Sequence, residues 1–313
     1  MIEVRNLTKR FGPTVALNNI SFDVASGEVL GLLGPNGAGK STAMRIITCY
    51  FPADEGDVTV DRYSARDQSV DVRRQIGYLP ESAPLYQDMG VIDYLEFIGR
   101  IRGMNGEVLP GKVDEMISVC GLERMAHRTI GTLSKGYRQR VGLAQAMIHE
   151  PKVLILDEPT TGLDPNQIVE IRELIKRIGQ KKTIILSTHI LPEVETTCSR
   201  VLIINEGRIV ASGTPAELAG QSESEQRIML TIKAAAGEVE PALRDSGLAS
   251  DLRLVGEDGG KVRYAVGTAA EDPEEKLYQL AVANGWILTE LKRETKSLEQ
   301  VFTQLTTREP VSS

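Results

Sequence analysis

The chain has 313 residues, of which 41% are hydrophobic, and a formal net charge of −7. This length suits one large or two ordinary domains. The acidic balance argues against broad nucleic-acid binding, which needs a basic surface. No apolar run approaches the ~20 residues that cross a bilayer, and the sequence does not start with a basic and then apolar segment, so we expect no secretory leader and a cytoplasmic protein. The widely spaced cysteines Cys49, Cys120 and Cys198 form no C-x-x-C pair and are expected to be free thiols.

A glycine-rich segment at residues 34–41, here called the phosphate loop, is the most informative part of the chain. It lies between a predicted strand at Val29–Leu33 and a predicted helix at Ser41–Ile47, and its G-x-x-x-x-G-K-[ST] spacing lets backbone N–H groups face phosphate oxygens. Lys40 can reach the β- and γ-phosphates, the Ser41 hydroxyl can bind Mg²⁺, and the start of the helix favours an anion. The nucleotide-binding residues predicted here are Gly34, Pro35, Asn36, Gly37, Ala38, Gly39, Lys40, Ser41 and Thr42. The pattern predicts binding of a nucleoside triphosphate.

The middle of the chain is predicted to be helical. Between about residues 85 and 150 the strand signal disappears, and apolar spacing predicts helices at Val91–Arg102, Val113–Cys120 and Arg138–His149. We interpret this stretch as a helical insert within an α/β domain. His149, at the end of the last helix, has no neighbouring site pattern, so we expect it to be structural.

Two later strands end in residues suited to phosphate chemistry. Val153–Asp157 predicts a strand buried on both faces. Asp157 at its end can hold Mg²⁺, and Glu158 can polarise the water that attacks a γ-phosphate. Thr183–Ser187 predicts another strand, and His189 follows just past its end, where open parallel sheets bind ligands. We therefore expect Glu158 and His189 to be catalytic, with His189 contacting the γ-phosphate and the attacking water.

A helix between these two strands carries signals at both ends. Asp164 is a predicted N-cap, with proline at the first helical position and Gln167 at the capping-box position. Apolar residues follow at helical spacing, and Gly179 is the predicted C-terminal cap. Further on, Arg200–Asn205 and Arg208–Ser212 predict a closing hairpin.

The α/β pattern ends near residue 220. We therefore place one domain at residues 1–220 and a linker at 221–226, where polar residues break the periodicity. Residues 227–313 are predicted to form a small C-terminal α+β domain with the β-α-β-β-α-β order of a ferredoxin-like fold. Its predicted elements are a strand at 227–233, a helix at 238–246, strands at 251–256 and 261–267, a helix at 272–284, a strand at 286–291 and a last helix at 298–306.

In this order, the motifs resemble the nucleotide-binding subunit of an ATP-binding-cassette (ABC) transporter. The signature of that family is LSGGQ, and residues 133–137 read L-S-K-G-Y. The family's Walker B strand matches Val153–Glu158, its D-loop matches Thr161–Asp164, and its H-loop matches His189. The resemblance covers about residues 2–218 and implies an α/β P-loop ATPase fold of ABC type with a helical insert.

The resemblance also implies how the nucleotide is held. Two such domains pack head to tail, and each ATP lies between one phosphate loop and the signature helix of the other subunit. Ser134 and Gly136 lie at the start of that helix, whose N–H groups can meet the γ-phosphate. Phe11 takes the place of the aromatic residue that stacks on adenine, and Asp164 belongs to the nucleotide-binding set. The implied ligands are ATP and Mg²⁺. The implied partners are separate transmembrane permease subunits and a second cassette, expected as a homodimer on the cytoplasmic face of the cell membrane, without nucleic acid.

Two departures from the family pattern bear on turnover. Glu81 stands where the family usually has glutamine, and its carboxylate can join Ser41 and Asp157 in binding Mg²⁺ but repels the γ-phosphate. We therefore expect slower or more Mg²⁺-dependent hydrolysis. Lys135 and Tyr137 are the other departures; a positive charge in the signature suits a nearby triphosphate, and the signature serine and glycine are kept, so we still expect turnover.

Among ABC proteins, the chain looks most like the ATPases of ABC-2-type exporters, and within these the gliding-motility branch. The residues that carry this resemblance are Asp157–Gln167 and a tail motif at Ser297–Phe302. In the family, the segment after Glu81 forms a groove for a coupling helix of the membrane subunit, although apolar spacing equally allows these residues to pack the insert. They are Leu85, Tyr86, Met89, Val91, Tyr94 and Phe97.

Two alternatives of other classes are weighed against the transporter subunit. A soluble cassette ATPase of DNA repair or of the ribosome would need a long heptad insert or a second cassette, and the sequence has neither. A nucleotide-sensing regulatory module, with residues 227–313 as its effector, would have lost the catalytic carboxylate, whereas Glu158 is present. We favour the transporter subunit; export rests on resemblance alone, and the sequence does not identify the transported substrate.

Overall fold

The computed structural model describes residues 2–220, 226–268, 270, 272–294 and 298–307. The chain divides into two compact units, Met1–Pro215 with the stretch from Leu305, and Ala216–Gln304. The predicted linker lies almost wholly outside the described residues, as does Ser297 of the tail motif. Within the described ranges, no helix combines the length and the apolar character that a bilayer span requires.

Strands and helices alternate along the first part of the chain. Its strands are β1 (Ile2–Phe11), β2 (Thr14–Val24), β3 (Val29–Leu33), β4 (Glu55–Val60), β5 (Tyr63–Ser64), β6 (Ile76–Leu79), β7 (Val153–Asp157), β8 (Thr183–Thr188), β9 (Arg200–Asn205) and β10 (Arg208–Gly213). Its helices are α1 (Lys40–Ile47), α2 (Ser69–Gln75), α3 (Val91–Ile101), α4 (Leu109–Cys120), α5 (Lys135–Met147), α6 (Pro165–Gly179), α7 (Leu191–Thr197) and α8 (Pro215–Gly220).

The first unit contains two sheets. One is antiparallel with the order β2-β1-β4-β5, and the other has the order β10-β9-β3-β8-β7-β6. In the second sheet, the strands from β9 to β6 run parallel and β10 pairs antiparallel with β9. Helix α1 contacts strands of both sheets, and its Met44 is buried in a core shared with Val4 of one sheet and Ile155 of the other. The first unit is therefore a layered α/β structure.

The central strands of the parallel sheet are covered on both faces. Every residue of β7 and of β8 is buried, which is why these segments read as continuous apolar runs rather than alternating ones. The strands predicted at Val29–Leu33 and Val153–Asp157 are confirmed with the same bounds. The predicted start of helix α6 is confirmed, because the Asp164 carboxylate accepts a hydrogen bond from the Gln167 N–H at 3.0 Å. The predicted C-terminal cap is wrong by one residue: Gly179 is the last helical residue, where a Cβ would lie 2.7 Å from the Val29 side chain, and Gln180 is the C-cap.

The predicted helical insert is formed by α3, α4 and α5. It meets the parallel sheet closely at Gly77 of β6, where a Cβ atom would lie 2.0 Å from the carbonyl oxygen of Ala146 in α5. Two of the residues considered for a partner groove, Val91 and Tyr94, are 0% and 2% exposed and therefore pack the interior of the insert. Tyr86, by contrast, is 56% exposed.

The second unit is built around a four-stranded antiparallel sheet. Its elements are β11 (Gln226–Lys233), α9 (Ala236–Asp245), β12 (Asp251–Asp258), β13 (Lys261–Thr268), α10 (Pro273–Ala283) and β14 (Ile287–Glu294), and α11 (Leu298–Thr306) follows. The strand order is β12-β13-β11-β14. Alternate residues of β11 and β13 point into one core, which α9 and α10 also supply, as expected for strands with one covered face.

His149 has a structural role, as expected from the sequence. Its Nε2 lies 3.1 Å from the carbonyl oxygen of Ile76, which can only accept, so Nε2 carries the hydrogen. Its Nδ1 is buried and has no hydrogen-bond partner among the described residues. Burial and then the charge of Arg102 lower the pKa of His149 to about 4.

The lowered pKa predicts a stability loss in acid. From its ordinary value of 6.5 down to about 4, the unfolded chain binds a proton at residue 149 that the folded chain does not bind, so this histidine makes the free energy of unfolding fall as the pH falls. In His149→Gln, the free energy of unfolding should therefore fall less between neutral and acid pH than in the wild type. The difference should be at most about 2 kcal/mol, because the ring is partly exposed. Urea unfolding at pH 7.5 and pH 4.5 measures the difference. An equal fall in His149→Gln and in the exposed-site control His127→Gln would contradict the assignment.

Candidate functional site

Four neighbouring parallel strands end at one edge of their sheet, and the residues that follow them line one cavity. β3 leads into the phosphate loop, β8 is followed by His189, β7 by Glu158, and β6 leads to Glu81. The cavity has a volume of about 380 Å³. Its lining residues are Asn36, Gly37, Gly39, Lys40, Ser41, Thr42, Glu81, Glu158, Thr161 and His189. The structure therefore brings together the phosphate loop, Glu81, Glu158 and His189, whereas Asp157 is not among the lining residues.

The phosphate loop wraps around its own lysine. Lys40 is the first residue of α1 and is 5% exposed. Its Nζ donates hydrogen bonds to the carbonyl oxygens of Gly34 at 2.7 Å and Pro35 at 3.1 Å. Gly39 has a φ of +112°, and a Cβ there would lie 2.6 Å from the carbonyl oxygen of Ala16, so only glycine fits. The loop thus fixes an ammonium group beside the N-terminal end of a helix, which favours anions.

Asp157 is held by two serine hydroxyls. The carboxylate is 1% exposed, and its Oδ1 accepts hydrogen bonds from Ser41 Oγ at 3.0 Å and Ser187 Oγ at 2.6 Å. Ser187 Oγ also accepts a hydrogen bond from the N–H of Glu158 at 3.0 Å. One hydroxyl at the end of β8 therefore fixes both acidic residues at the end of β7.

Glu158 has a strained backbone. Its φ of +48° is left-handed, which costs a residue other than glycine about 1–2 kcal/mol. Its N–H is held by both the hydroxyl and the carbonyl oxygen of Ser187. Its Oε2 accepts a hydrogen bond from Thr161 Oγ1 at 3.1 Å and lies 2.8 Å from Nδ1 of His189. Because a carboxylate oxygen only accepts, the hydrogen of the ring lies on Nδ1, and Nε2 is left as an acceptor.

Opposite charges meet at the floor of the cavity. Lys40 Nζ lies 3.6 Å from Glu158 Oε1, and the two side chains are 5% and 9% exposed. The side chain of His189 is 43% exposed. Charges that are shielded from water attract each other more strongly than surface charges do. The cavity therefore contains the Lys40 ammonium next to the Glu158 carboxylate, and His189 contacts that carboxylate from the solvent side.

The signature residues lie elsewhere. Ser134 caps α5 by accepting a hydrogen bond from the Tyr137 N–H at 3.4 Å. A Cβ at Gly136 would lie 2.7 Å from the Gln167 side chain, so the start of α5 packs on the start of α6. Lys135 extends over the D-loop, since a Cβ at Gly162 would lie 2.3 Å from its Nζ. Neither Ser134 nor Gly136 lines the cavity of the same chain.

Phe11 and Asp164 also lie outside the cavity lining. Phe11 ends β1 and is 49% exposed, and its ring meets that of Phe51 edge-on at 5.6 Å between centroids. The Nζ of Lys9 lies 5.6 Å from the centre of the Phe11 ring. Asp164 uses a carboxylate oxygen as the N-cap of α6.

Two residues of the site were not recognised from the sequence. The sequence places Thr161 only in the D-loop, although its hydroxyl contacts Glu158, and it places Ser187 only at the end of a strand, although its hydroxyl contacts Asp157. One sequence signal for Ser187 exists: it is a hydroxyl residue at the end of an apolar strand, just before His189.

Comparison with known proteins extends over almost the whole chain. A family model described as ABC transporter matches residues 17–161. Linearmycin resistance ATP-binding protein LnrL of Bacillus subtilis is 30% identical over 98% of this chain and 99% of that protein. Nod factor export ATP-binding protein I of Burkholderia lata is 34% identical over 98% of this chain and 97% of that protein. A solved dimeric ATP-binding cassette in a post-hydrolysis state, bound to ADP and Pi, is 27% identical with a TM-score of 0.63, covering 68% of this chain and 98% of that one.

Removing the hydroxyl of Ser187 should weaken the site. In Ser187→Ala, Asp157 loses one of its two donors and the Glu158 N–H keeps only the carbonyl oxygen of residue 187. We expect the free energy of unfolding in urea to fall by about 1–3 kcal/mol. The control is Thr196→Ala, which removes an exposed hydroxyl that donates only within α7 and should cost less than about 0.5 kcal/mol. Equal losses in the two variants would contradict the bridging role.

Proposed function

This chain belongs to the ABC transporter ATP-binding family, and from that premise we propose that it is the ATP-hydrolysing subunit of an ABC-2-type exporter, closest to the gliding-motility branch. The observation that carries the catalytic part of the proposal is the 2.8 Å contact between Glu158 and His189 beside the phosphate loop. The names of relatives along the whole chain, a linearmycin resistance protein and a Nod factor export protein, support export.

The residues of the cavity divide the work of hydrolysis. The N–H groups of the phosphate loop and the ammonium of Lys40 bind the β- and γ-phosphates, for which Lys40 exchanges its loop carbonyl contacts. Glu158 accepts the proton of the attacking water. His189 holds the Glu158 carboxylate through Nδ1, which leaves Nε2 of the neutral ring to accept a hydrogen bond from the attacking water. A γ-phosphate oxygen also only accepts, so a contact with it would need a hydrogen on Nε2 as well. Thr161 restrains the same carboxylate oxygen from a second direction.

The residues proposed to hold Mg²⁺ are Ser41, Asp157 and Glu81. ATPase sites bind this ion through one or two carboxylates together with the phosphates of the nucleotide, rather than through a closed protein cage. The oxygen of Ser41 lies 3.0 Å from Asp157 Oδ1, and Glu81 lines the same cavity. Hydroxyl and carboxylate oxygens suit a hard cation. The described residues contain no group of three or more His, Cys, Asp or Glu arranged for a metal, which agrees with a site that the nucleotide phosphates complete. When bound, Mg²⁺ neutralises charge on the phosphates.

A second cassette is proposed to complete each nucleotide site. Ser134 and Gly136 do not line the cavity of their own chain, yet Ser134 caps a helix whose N-terminal end can bind an anion. In a head-to-tail homodimer, each signature helix would meet the γ-phosphate held by the other phosphate loop, and Asp164 would lie at the same interface. Phe11, exposed at the end of β1, is proposed to stack on adenine.

Transmembrane permease subunits are the proposed partners, which would place the chain on the cytoplasmic face of the membrane. Among the residues considered for the partner groove, Tyr86 is exposed, and Leu85, Met89 and Phe97 are partly exposed. Tyr86 and Phe97 pack against each other with ring centroids 5.5 Å apart. These side chains could receive a short helix of the permease.

The second unit is proposed to be a ferredoxin-like accessory domain that follows the predicted linker. Its β-α-β-β-α-β sequence of elements and its strand order β12-β13-β11-β14 support this assignment. All neighbouring strands in the sheet pair antiparallel. The domain has its own apolar core.

Hydrolysis should depend on Glu158. In Glu158→Gln, the amide cannot accept the proton, so we expect kcat for Mg·ATP to fall by at least about 100-fold while the Kd for ATP stays within about two-fold. Release of inorganic phosphate and nucleotide binding measure the two quantities. Glu195→Gln, an exposed substitution on α7, should retain full activity. Wild-type turnover in Glu158→Gln would refute the proposed mechanism.

Glu81 should make nucleotide binding depend more strongly on Mg²⁺. Removing its charge in Glu81→Gln should tighten metal-free ATP binding about 3- to 10-fold, because one negative charge beside the phosphates is lost. The strengthening of ATP binding by Mg²⁺ should shrink, since an amide oxygen is a weaker ligand than a carboxylate. Titration with ATP in EDTA and in Mg²⁺ measures both effects, with the exposed Glu107→Gln as control. No difference from that control would contradict a role for Glu81 in the site.

A further inference from the structure

A buried glutamate lies directly behind the catalytic pair. Glu193 of α7 is 1% exposed, and its two carboxyl oxygens accept hydrogen bonds from two threonines. Thr160 Oγ1 donates to Oε1 at 2.5 Å, and Thr188 Oγ1 donates to Oε2 at 2.6 Å. Thr160 and Thr188 are 2% and 0% exposed. The carboxyl group therefore bridges two hydroxyls in a region closed to water.

Each threonine belongs to a segment that carries one member of the catalytic pair. Thr160 is two residues beyond Glu158, and its neighbour Thr161 donates a hydrogen bond to Glu158 Oε2. Thr188 directly precedes His189, and its hydroxyl also accepts a hydrogen bond from the N–H of residue 190 at 3.0 Å. Glu193 thus links the loop after β7 to the end of β8 through buried hydrogen bonds. Glu158 and His189 link the same two segments at the cavity.

The helix that carries this glutamate is itself fixed to the strand that leads into the phosphate loop. A Cβ at Gly31 of β3 would lie 3.2 Å from Val194 and 2.9 Å from Cys198 Sγ. Val194 follows Glu193 in α7 and is fully buried. So close an approach at a glycine shows that α7 packs tightly against β3. Glu193 therefore ties both catalytic segments to the phosphate-binding part of the sheet.

Burial alone does not require a carboxyl group at this position. A buried acidic side chain costs desolvation energy, and an apolar residue of similar volume often serves stability equally well. What an apolar residue cannot do is accept two hydrogen bonds from opposite sides. The geometry therefore favours a role in orientation over a role in packing.

We propose that Glu193 is a positioning residue for ATP hydrolysis, which holds Glu158 and His189 in register by bridging Thr160 and Thr188. The inference rests on the proposed roles of Glu158 and His189. It requires no contact of Glu193 with the nucleotide, since the effect passes through the two threonines. Misplacement of a catalytic group by a fraction of an ångström to 1 Å is enough to lower a rate by one to two orders of magnitude.

The test compares substitutions that keep or remove the bridge in the full-length chain. In Glu193→Leu, which keeps the volume but not the acceptors, kcat for Mg·ATP should fall about 10- to 100-fold while KM stays within about two-fold. In Glu193→Gln, the amide can accept from one hydroxyl and donate to the other, so kcat should stay within about three-fold of the wild type. The exposed Glu195→Leu on the same helix should behave like the wild type.

The threonine side of the bridge gives an independent measurement, which also serves if Glu193→Leu does not fold. Thr160→Val should reproduce the loss of kcat, and Thr160→Ser, which keeps the hydroxyl, should restore it. The proposal is overturned if Glu193→Leu or Thr160→Val keeps kcat within two-fold, if either raises KM instead, or if Glu193→Gln loses as much as Glu193→Leu. Glu158→Gln distinguishes a failure of the positioning role from a failure of the proposed function. If Glu158→Gln is inactive and Glu193→Leu is active, only the positioning role is refuted. If Glu158→Gln is fully active, the proposed catalytic site itself is refuted.

Discussion

Strands β3, β8, β7 and β6 run parallel, so each delivers whatever follows its last residue to the same edge of the sheet. The phosphate loop, His189, Glu158 and Glu81 come from distant parts of the sequence and meet there because of this pairing. Parallel strands must be joined by crossover segments. The helical insert between β6 and β7 is one such crossover, and it also carries the signature residues away from the cavity of their own chain.

The sheet edge that carries Glu158 is costly to assemble, and the hydrogen bonds around Glu158 offset that cost. Glu158 has a left-handed backbone and a nearly buried carboxylate. Ser187 holds its N–H, Thr161 and His189 hold its Oε2, and Lys40 lies near its Oε1. Buried polar groups that are fully paired specify one arrangement, whereas partly paired ones destabilise the fold. The same network that stabilises the turn therefore also orients the group that we propose as the base.

Residues that directly follow a long apolar strand could be predicted from the sequence. Glu158 and His189 directly follow β7 and β8, and Lys40 follows β3 by way of the phosphate loop; the burial of these strands makes each of them an apolar run in the sequence. Strands β1 and β2 are less regular, since register shifts interrupt their pairing and Asn6 and Asn19 adopt φ values of +52° and +53°. Glu193 was out of reach, since its bridge to Thr160 joins residues 33 positions apart through a seven-residue helix that has no clear apolar repeat.

The central claim is that one chain holds only part of each ATP site and that a second copy supplies the signature helix. The most direct measurement is the solution mass of Glu158→Gln with and without Mg·ATP, since this variant should retain the nucleotide. We expect the mass to double when Mg·ATP is added, and the double variant with Lys40→Ala, which removes the phosphate-binding ammonium, to stay at the mass of one chain. A Glu158→Gln chain that binds Mg·ATP and keeps the mass of one chain would contradict a composite site formed by two copies.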